Sequence, residues 1–358
     1  VKGAHSVKTS IIPIFIPHIG CPYRCIFCNQ WRITGHSGIP DATEVASVIR
    51  QYTEGVSEPR HWEVAFYGGS FTAIPEELQE ALLQPAYEAL KQRRIAAIRC
   101  STRPDCITIP ILARLRAYDV SIVELGVQSM DDAVLAQAKR GHTAAHVVEA
   151  TALLKQGGFT VGHQLMPGLP GEDWQSLERT VQAVQSLQPH MVRIYPIVVI
   201  KDTELAERYQ RGDYEPLSVH EGVRRAAYMK QAFAEQGIPC IRTGLQATAD
   251  LDDPTQVLAG AYAPAMGEMV DTMRYRIQLF RLLDQYPATA VTITYHRQDT
   301  SRTRGIRNVT VHRAGLRYSH CLFDWQEDNS LAPGVIGVAV AGYPKRWIHM
   351  DAGIVTSV

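Results

Sequence analysis

The sequence lacks any net charge to speak of, since 36 Lys and Arg stand against 36 Asp and Glu. That balance excludes a protein drawn to nucleic acid or anionic membrane by its overall field, so a polyanionic partner would have to be met by a local patch. Long hydrophobic runs are also missing. The longest, around Ile11–Ile16 and Val335–Val340, fall far short of the roughly 20 residues that cross a bilayer, so no membrane span is expected. The cysteines do not form an even framework: there are seven, three of them within eight positions. That pattern argues against a disulfide-stapled secreted fold and places the chain in a reducing cytoplasm. The opening VKGAHSVKTS starts at Val1 and lacks the basic-then-apolar order of a secretory signal, so it reads as a trimmed terminus.

What is present is an ordinary globular composition, 46% apolar and 20% charged over 358 residues, which suits an enzyme rather than a disordered chain. The length allows one large domain or a main domain with an appendage of about 100 residues. From about Lys8 to Thr243, apolar runs rich in Ile, Val and Phe predict strands at Ile11–Ile16, Glu63–Tyr67, Ile95–Ser101, Ile122–Val127, Thr160–Leu165 and Met191–Pro196. Helical patterns lie between them. In Glu172–Leu187 the residues Leu177, Val181, Val184 and Leu187 share one helical face. Six strand–helix units predict an α/β fold, a partial (β/α)6 parallel barrel whose chemistry sits after the strand C-terminal ends. Beyond about Thr243 the rhythm changes to a long amphipathic helix, Pro264–Leu283, a strand at Ala290–Tyr295 and an Arg-rich stretch. The expected domains are therefore a barrel over 1–245 and a smaller α+β extension over 246–358, with the boundary near Leu245–Pro254.

The sharpest chemical signal is CPYRCIFC, directly after the first strand. Cys21, Cys25 and Cys28 can each take one iron of a cubane, leaving the fourth iron without a protein ligand. The alternative is a structural zinc, for which His18 or His36 would complete a Cys-Cys-Cys-His set. Cys100, Cys106, Cys240 and Cys321 are scattered and read as small buried hydrophobes.

The spacing of this triad, its position and the aromatic Phe27 before the last cysteine resemble the signature of the radical S-adenosylmethionine (SAM) superfamily. The ordered segments STRPDCI, VELGVQSM, KRGHT, GFTVGHQLMPGLPG and RIYPIVVIKDTEL resemble more narrowly the radical core of the Elongator catalytic subunit and its bacterial relatives. This resemblance covers Ile11 to about Thr243. It implies a 4Fe-4S cluster and S-adenosyl-L-methionine as cofactors, cleavage of the sulfonium to a 5'-deoxyadenosyl radical, and a flavodoxin or ferredoxin as electron donor. Carried over by position, Gly68, Gly69 and Ser70 would approach the methionine amine, while Ser101, Gln128 and Gln164 would lie near the ribose. Ser101 stands where related enzymes often carry an acid. Arg140 would pair with the SAM carboxylate, which a planar guanidinium fork suits. His163 and Tyr195 would be catalytic, with Arg193 beside Tyr195. Strand alternation points one of His163 and Gln164 into the barrel. No glycine-rich acetyl-coenzyme A loop is legible after Thr243, so the acetyl chemistry of the Elongator subunit is not carried over.

Within the extension, Arg297–Arg317 holds six arginines against one acid. Such a patch could meet the phosphates of a tRNA, although a charge run is more commonly a solvated face and only Tyr295 and Tyr318 flank it as stacking partners. Three functions stay open at this point: an RNA-modifying radical enzyme, a radical enzyme acting on a small metabolite, porphyrin precursor or peptide, and a cluster-containing binding module without turnover.

Overall fold

The computed structural model describes residues 9–16, 19–29, 38–55, 60–246, 248–287, 289–352 and 354–357. The predicted strands form as β1 (Thr9–Ile16), β2 (His61–Gly68), β3 (Ala97–Thr102), β4 (Val120–Gln128), β5 (Thr160–Leu165) and β6 (Met191–Ile194). A seventh parallel strand, β8 (Cys240–Thr243), completes the sheet, whose order is β1-β2-β3-β4-β5-β6-β8. Such sequential parallel order, with a helix in nearly every crossover, is the curled half-barrel that the strand–helix rhythm predicts. A two-stranded ribbon joins β7 (Val198–Ile200) to β9 (Val257–Gly260).

The crossover helices are α1 (Ala42–Thr53), α2 (Glu76–Lys91), α3 (Ile109–Ala117), α4 (Asp132–Gln137), α5 (Ala144–Gln156) and α6 (Trp174–Leu187), followed by α7 (Glu204–Arg211) and α8 (Val219–Ala234). Local chemistry starts them where they start. Asp41 caps α1 in a capping box with Glu44, and Asp173 caps α6 with Ser176, each pair satisfying backbone N–H groups that the first turn leaves open. Leu177, Val181 and Val184 are buried on one face of α6, as their spacing requires.

The chain divides into two compact units. One comprises Val1–Met191, Val198–Glu215 and Ala247–Ala259; the other comprises Val192–Ile197, Pro216–Gln246 and Gly260–Val358. The chain therefore passes between the units several times.

In the first unit, strand alternation sorts the sheet into two faces. Val64, Phe66, Val123, Leu125 and Val161 are fully buried on one of them. The other face is polar: register sets Ala65 opposite Arg99, Ser101 opposite Glu124, and Gly126 opposite Gln164, so Arg99, Ser101, Glu124 and Gln164 line the concave side.

The second unit contains a mixed sheet in the order β11 (Leu322–Glu327), β10 (Ala290–Tyr295), β12 (Val335–Val340), β13 (Arg346–His349) and β14 (Ile354–Ser357). The β10–β11 pair is parallel and the remaining pairs antiparallel. Its core packs Val291, Ile293, Ile336 and Val338 with Tyr275, Leu279 and Leu282 of α9 (Met266–Leu283). A last helix, α10 (Val309–Arg317), occupies part of the Arg-rich stretch.

Candidate active site

The three cysteines lie on the loop after β1, and that loop is held by backbone contacts before any side chain is considered. Gly69 N donates to Ile16 O at 2.8 Å and Ser70 N to Ile19 O at 3.3 Å. A Cβ at Gly69 would stand 2.1 Å from Ile19 O, and one at Gly68, whose φ is +116°, would stand 2.5 Å from Ile16 O. The glycine pair is thus needed first to let the end of β2 lie against the cysteine loop. The far side is held equally closely: Ile26 N donates to Ala138 O at 3.3 Å, and Ile26 O accepts from Leu205 N, at the start of α7, at 2.8 Å.

The KRGHT segment, Lys139–Thr143, forms the rest of this cradle. Arg140 Nη1 donates to Cys25 Sγ at 3.1 Å, and its Nη2 donates to Gly126 O at 2.8 Å. Gly141, at φ +73°, lies under the ring of Tyr23, where a Cβ would approach to 2.5 Å. The guanidinium of Arg103 stacks 4.9 Å from the centre of that ring and donates to Arg140 O and to Asp105 Oδ2. Arg103 and Arg140 are almost wholly buried, and Arg103 Nε and Nη1 and Arg140 Nε have no hydrogen-bond partner among the described residues.

These groups determine what the loop can hold. His18 and His36, the candidates to complete a zinc set, lie outside the described residues. A cubane takes one thiolate for each of three irons, and a cluster so ligated is anionic. Two buried guanidiniums with unspent donors complement that charge. Burial and the neighbouring Cys25 push the Cys21 thiol up, against the pull of Arg103, Arg140 and the Ser70 backbone. The Arg103 guanidinium is held above its ordinary range: burial opposes its charge, but Asp105, Cys25 and Cys106 outweigh that cost. The donor set fits an iron–sulfur cluster.

Next to the cradle, Gln128 ends β4 with φ +67° at a register shift between Gly126 and Gln128, a left-handed conformation that is uncommon for a residue with a Cβ. Its Oε1 accepts from Gln164 Nε2 at 3.2 Å. The two amides thus form a pair on the concave face, and strain of this kind is concentrated where a side chain must be aimed. Ser70 Oγ lies 2.8 Å from Thr102 Oγ1, and Arg103 N donates to it at 3.3 Å. Ser101 is on the concave face next to Glu124.

His163 faces the helix layer, away from Gln164: its Nε2 is 2.9 Å from Thr151 Oγ1 of α5. Because that hydroxyl donates to Val147 O at 2.7 Å, it can only accept from the ring, so His163 carries its proton on Nε2. Burial, helped by Lys155, pushes its pKa down to about 3. The neutral ring is held between sheet and helix, and alternation makes Gln164 the member that reaches the concave side. Tyr195 belongs to the second unit, where its hydroxyl accepts from Arg193 Nη1 at 3.1 Å.

Sequence reasoning missed two features. One is the Arg103–Tyr23–Gly141 stack. The other is an ion cluster on the concave face, where Arg99 pairs with Glu63 and, at 2.9 Å, with Glu124, while Tyr67 Oη reaches Glu124 at 3.5 Å. Glu124 in VELG and Arg99 in IRCST are charges inside predicted buried strands, which was the available signal.

A parallel half-barrel with a three-cysteine loop after its first strand, clasped by a glycine pair, defines the class. The family described as Radical SAM superfamily matches residues 15–184, and the Radical_SAM C-terminal domain matches 189–276; the chain belongs to the radical SAM superfamily and is an enzyme. Within it, the chain resembles Elongator-type proteins. It is 31% identical over 188 residues to a tRNA uridine(34) acetyltransferase of Methanocaldococcus jannaschii, covering 47% of this chain and 35% of that one. To human Elongator complex protein 3 it is 30% identical over 179 residues, covering 44% and 32%. An uncharacterized M. jannaschii protein is 30% identical over 235 residues, covering 61% of this chain and 70% of its own length. The chain spans about a third of the length of the first two relatives. An archaeal Methanocaldococcus infernus Elp3 with an N-terminal deletion shares the fold, with TM-score 0.61 and 22% identity over 98% of this chain and 77% of that one. Among the described residues no helix is long and apolar enough to cross a membrane.

Proposed function

We infer that this radical SAM enzyme acts on RNA, with a tRNA base as substrate. Cys21, Cys25 and Cys28 would hold a 4Fe-4S cluster whose open iron takes SAM. When bound, these groups would supply one-electron cleavage of the sulfonium and hydrogen abstraction from a substrate carbon. The observation that carries the cluster part of this reading is the double clasp on the cysteine loop: the Gly68-Gly69 edge on one side and Arg140, on Cys25 Sγ, on the other.

The chain's own residues then divide the work. Arg103 and Arg140 neutralise the anionic cluster and keep donors in reserve for a carboxylate. Ser70 and the glycine edge present backbone to the methionine amine. The Gln128–Gln164 amide pair and Ser101 line the concave face at the ribose. Tyr195, with Arg193, would act on the substrate side, and a reduced flavodoxin or ferredoxin would deliver the electron in the cytoplasm. Support for RNA comes from the names of the relatives, which are tRNA uridine(34) acetyltransferases and Elongator proteins, and from the Arg-rich stretch.

The test is anaerobic reconstitution with iron and sulfide, followed by SAM and dithionite, with 5'-deoxyadenosine measured in the presence and absence of tRNA. Product that rises with tRNA and vanishes in Cys25→Ala supports the reading. Product indifferent to tRNA points to a small substrate instead. A loaded cluster that yields none leaves a binding module.

A further inference from the structure

The Arg-rich stretch is not uniformly available. Arg302 is matched by Glu268 at 3.4 Å and Asp299 at 3.3 Å, Arg317 by Asp284 at 2.7 Å, and Arg304 donates to Asn308 Oδ1 at 3.0 Å. Unmatched charge remains at Arg313 within the stretch and on α9 beside it. Arg276 is 8% exposed, yet its hydrogen bond goes to the thioether of Met273, at 2.8 Å, and among the described residues it has no carboxylate partner. A thioether is a weak acceptor, and a nearly buried guanidinium is ordinarily paired. Burial and the neighbouring Arg313 both push its pKa down. This site therefore stores a cost that an anion would relieve.

Arg276 lines a groove of about 410 Å3 together with Ile277, Phe280, Arg281, Asp284 and Arg317. Asp284, the one acid in that lining, is already engaged by Arg317 and by the Tyr318 hydroxyl at 2.7 Å. The groove thus offers cationic donors without a free carboxylate, next to an apolar wall of Ile277 and Phe280. That combination suits a phosphate carrying an organic group, since the guanidinium fork grips two oxygens while the wall takes ribose or base. Arg313, exposed beside it, extends the positive surface beyond a single phosphate.

We propose that this groove on α9 binds a phosphodiester of an RNA strand, with Arg276 as the anchoring guanidinium and Arg313 and Arg281 holding flanking phosphates. The proposal rests on the RNA reading above and locates the contact on arginines other than Arg302 and Arg304.

The experiment measures anisotropy of labelled bulk tRNA against the full chain over a salt series, using wild type, the double variant Arg276→Gln/Arg313→Gln, and Arg302→Gln. Loss of two phosphate contacts should make the slope of log K against log[salt] shallower by about 1.4–1.8, whereas Arg302→Gln keeps the wild-type slope. A double variant with an unchanged slope overturns the site and leaves the RNA reading standing. Wild type without salt-dependent tRNA binding overturns both. Thermal melts at constant ionic strength form the second arm. Inorganic phosphate should raise the melting temperature of wild type and not of Arg276→Gln. If phosphate does so while tRNA does not bind, the groove takes a small phosphate and the RNA assignment fails. Arg276→Gln should itself fold at least as stably as wild type, because it removes an uncompensated buried charge; a large drop in its melting temperature would also refute the argument.

Discussion

Replacing Arg99 by Leu tests whether the concave face of the half-barrel is held by charge balance. Arg99 is 5% exposed and Glu124 4%, and Arg99 pairs with both Glu63 and Glu124. Burial works against its charge, yet Glu124, Tyr67 and Glu63 together hold the guanidinium above its ordinary range. Removing it leaves two carboxylates facing each other in a low-dielectric strip, and breaking a buried pair in this way costs about 3–5 kcal/mol. The cost should depend on pH. A carboxyl group that keeps a proton in the folded variant, after the unfolded chain has lost it near pH 4.3, stabilises the fold at the acid end and loses that contribution as pH rises. Urea denaturation of Arg99→Leu should therefore show a larger deficit against wild type at pH 8 than at pH 5. A triple variant replacing Arg99, Glu63 and Glu124 with apolar residues of similar size should recover most of the loss. A deficit below about 1 kcal/mol at pH 8, or one equal at both pH values, would refute the reasoning.

Three further outcomes are expected. Gly69→Ala should lower iron loading after reconstitution while far-UV circular dichroism stays native, since its Cβ would meet Ile19 O at 2.1 Å and push the cysteine loop away; full loading would show that the clasp tolerates a side chain. Arg140→Gln should shift the midpoint potential of the cluster downward, because a cationic donor to Cys25 Sγ at 3.1 Å favours the more negative, reduced form; an unchanged potential in a redox titration would sever Arg140 from the cluster. His163→Gln should retain SAM cleavage and flatten the acid limb of stability. With its folded pKa held near 3, His163 contributes stability that is fully present above the unfolded value of about 6.5 and is lost as pH falls towards the folded one. An inactive, well-folded His163→Gln would place His163 in the catalytic set.

The barrel was legible because parallel strands buried on both sides read as short apolar runs, and the helices between them repeat at 3.6 residues. The cysteine triad was legible because its ligands are local. The contacts that give the triad its setting are not local. Arg103 and Arg140 lie more than seventy residues beyond Cys25, and nothing in STRPD or KRGHT announces that one arginine stacks on Tyr23 while the other reaches a sulfur. The Arg-rich stretch is only partly legible for the same reason: its charge is visible in the sequence, but Glu268, Asp271 and Asp284, which neutralise parts of it, lie on α9 or at its C-terminal end.

His163 and Gln164 show where pattern stops and register begins. Alternation requires one of these neighbours to face the concave side and cannot say which. The choice is made by β4, where Leu125 stands opposite His163 and Gly126 opposite Gln164. Leu125 is fully buried, so its face is the packed one and His163 shares it. Gly126 leaves room on the other face, where a Cβ would lie 3.0 Å from Gln128 Nε2 and 3.3 Å from Arg140 Nη2. A side chain there would press on both residues that bridge the cluster loop to the amide pair. Gly126 in VELGVQSM is therefore the residue through which the cluster cradle and the concave face are joined, and Gly126→Val should disturb iron loading and SAM affinity together, whereas Gly69→Ala acts on loading first.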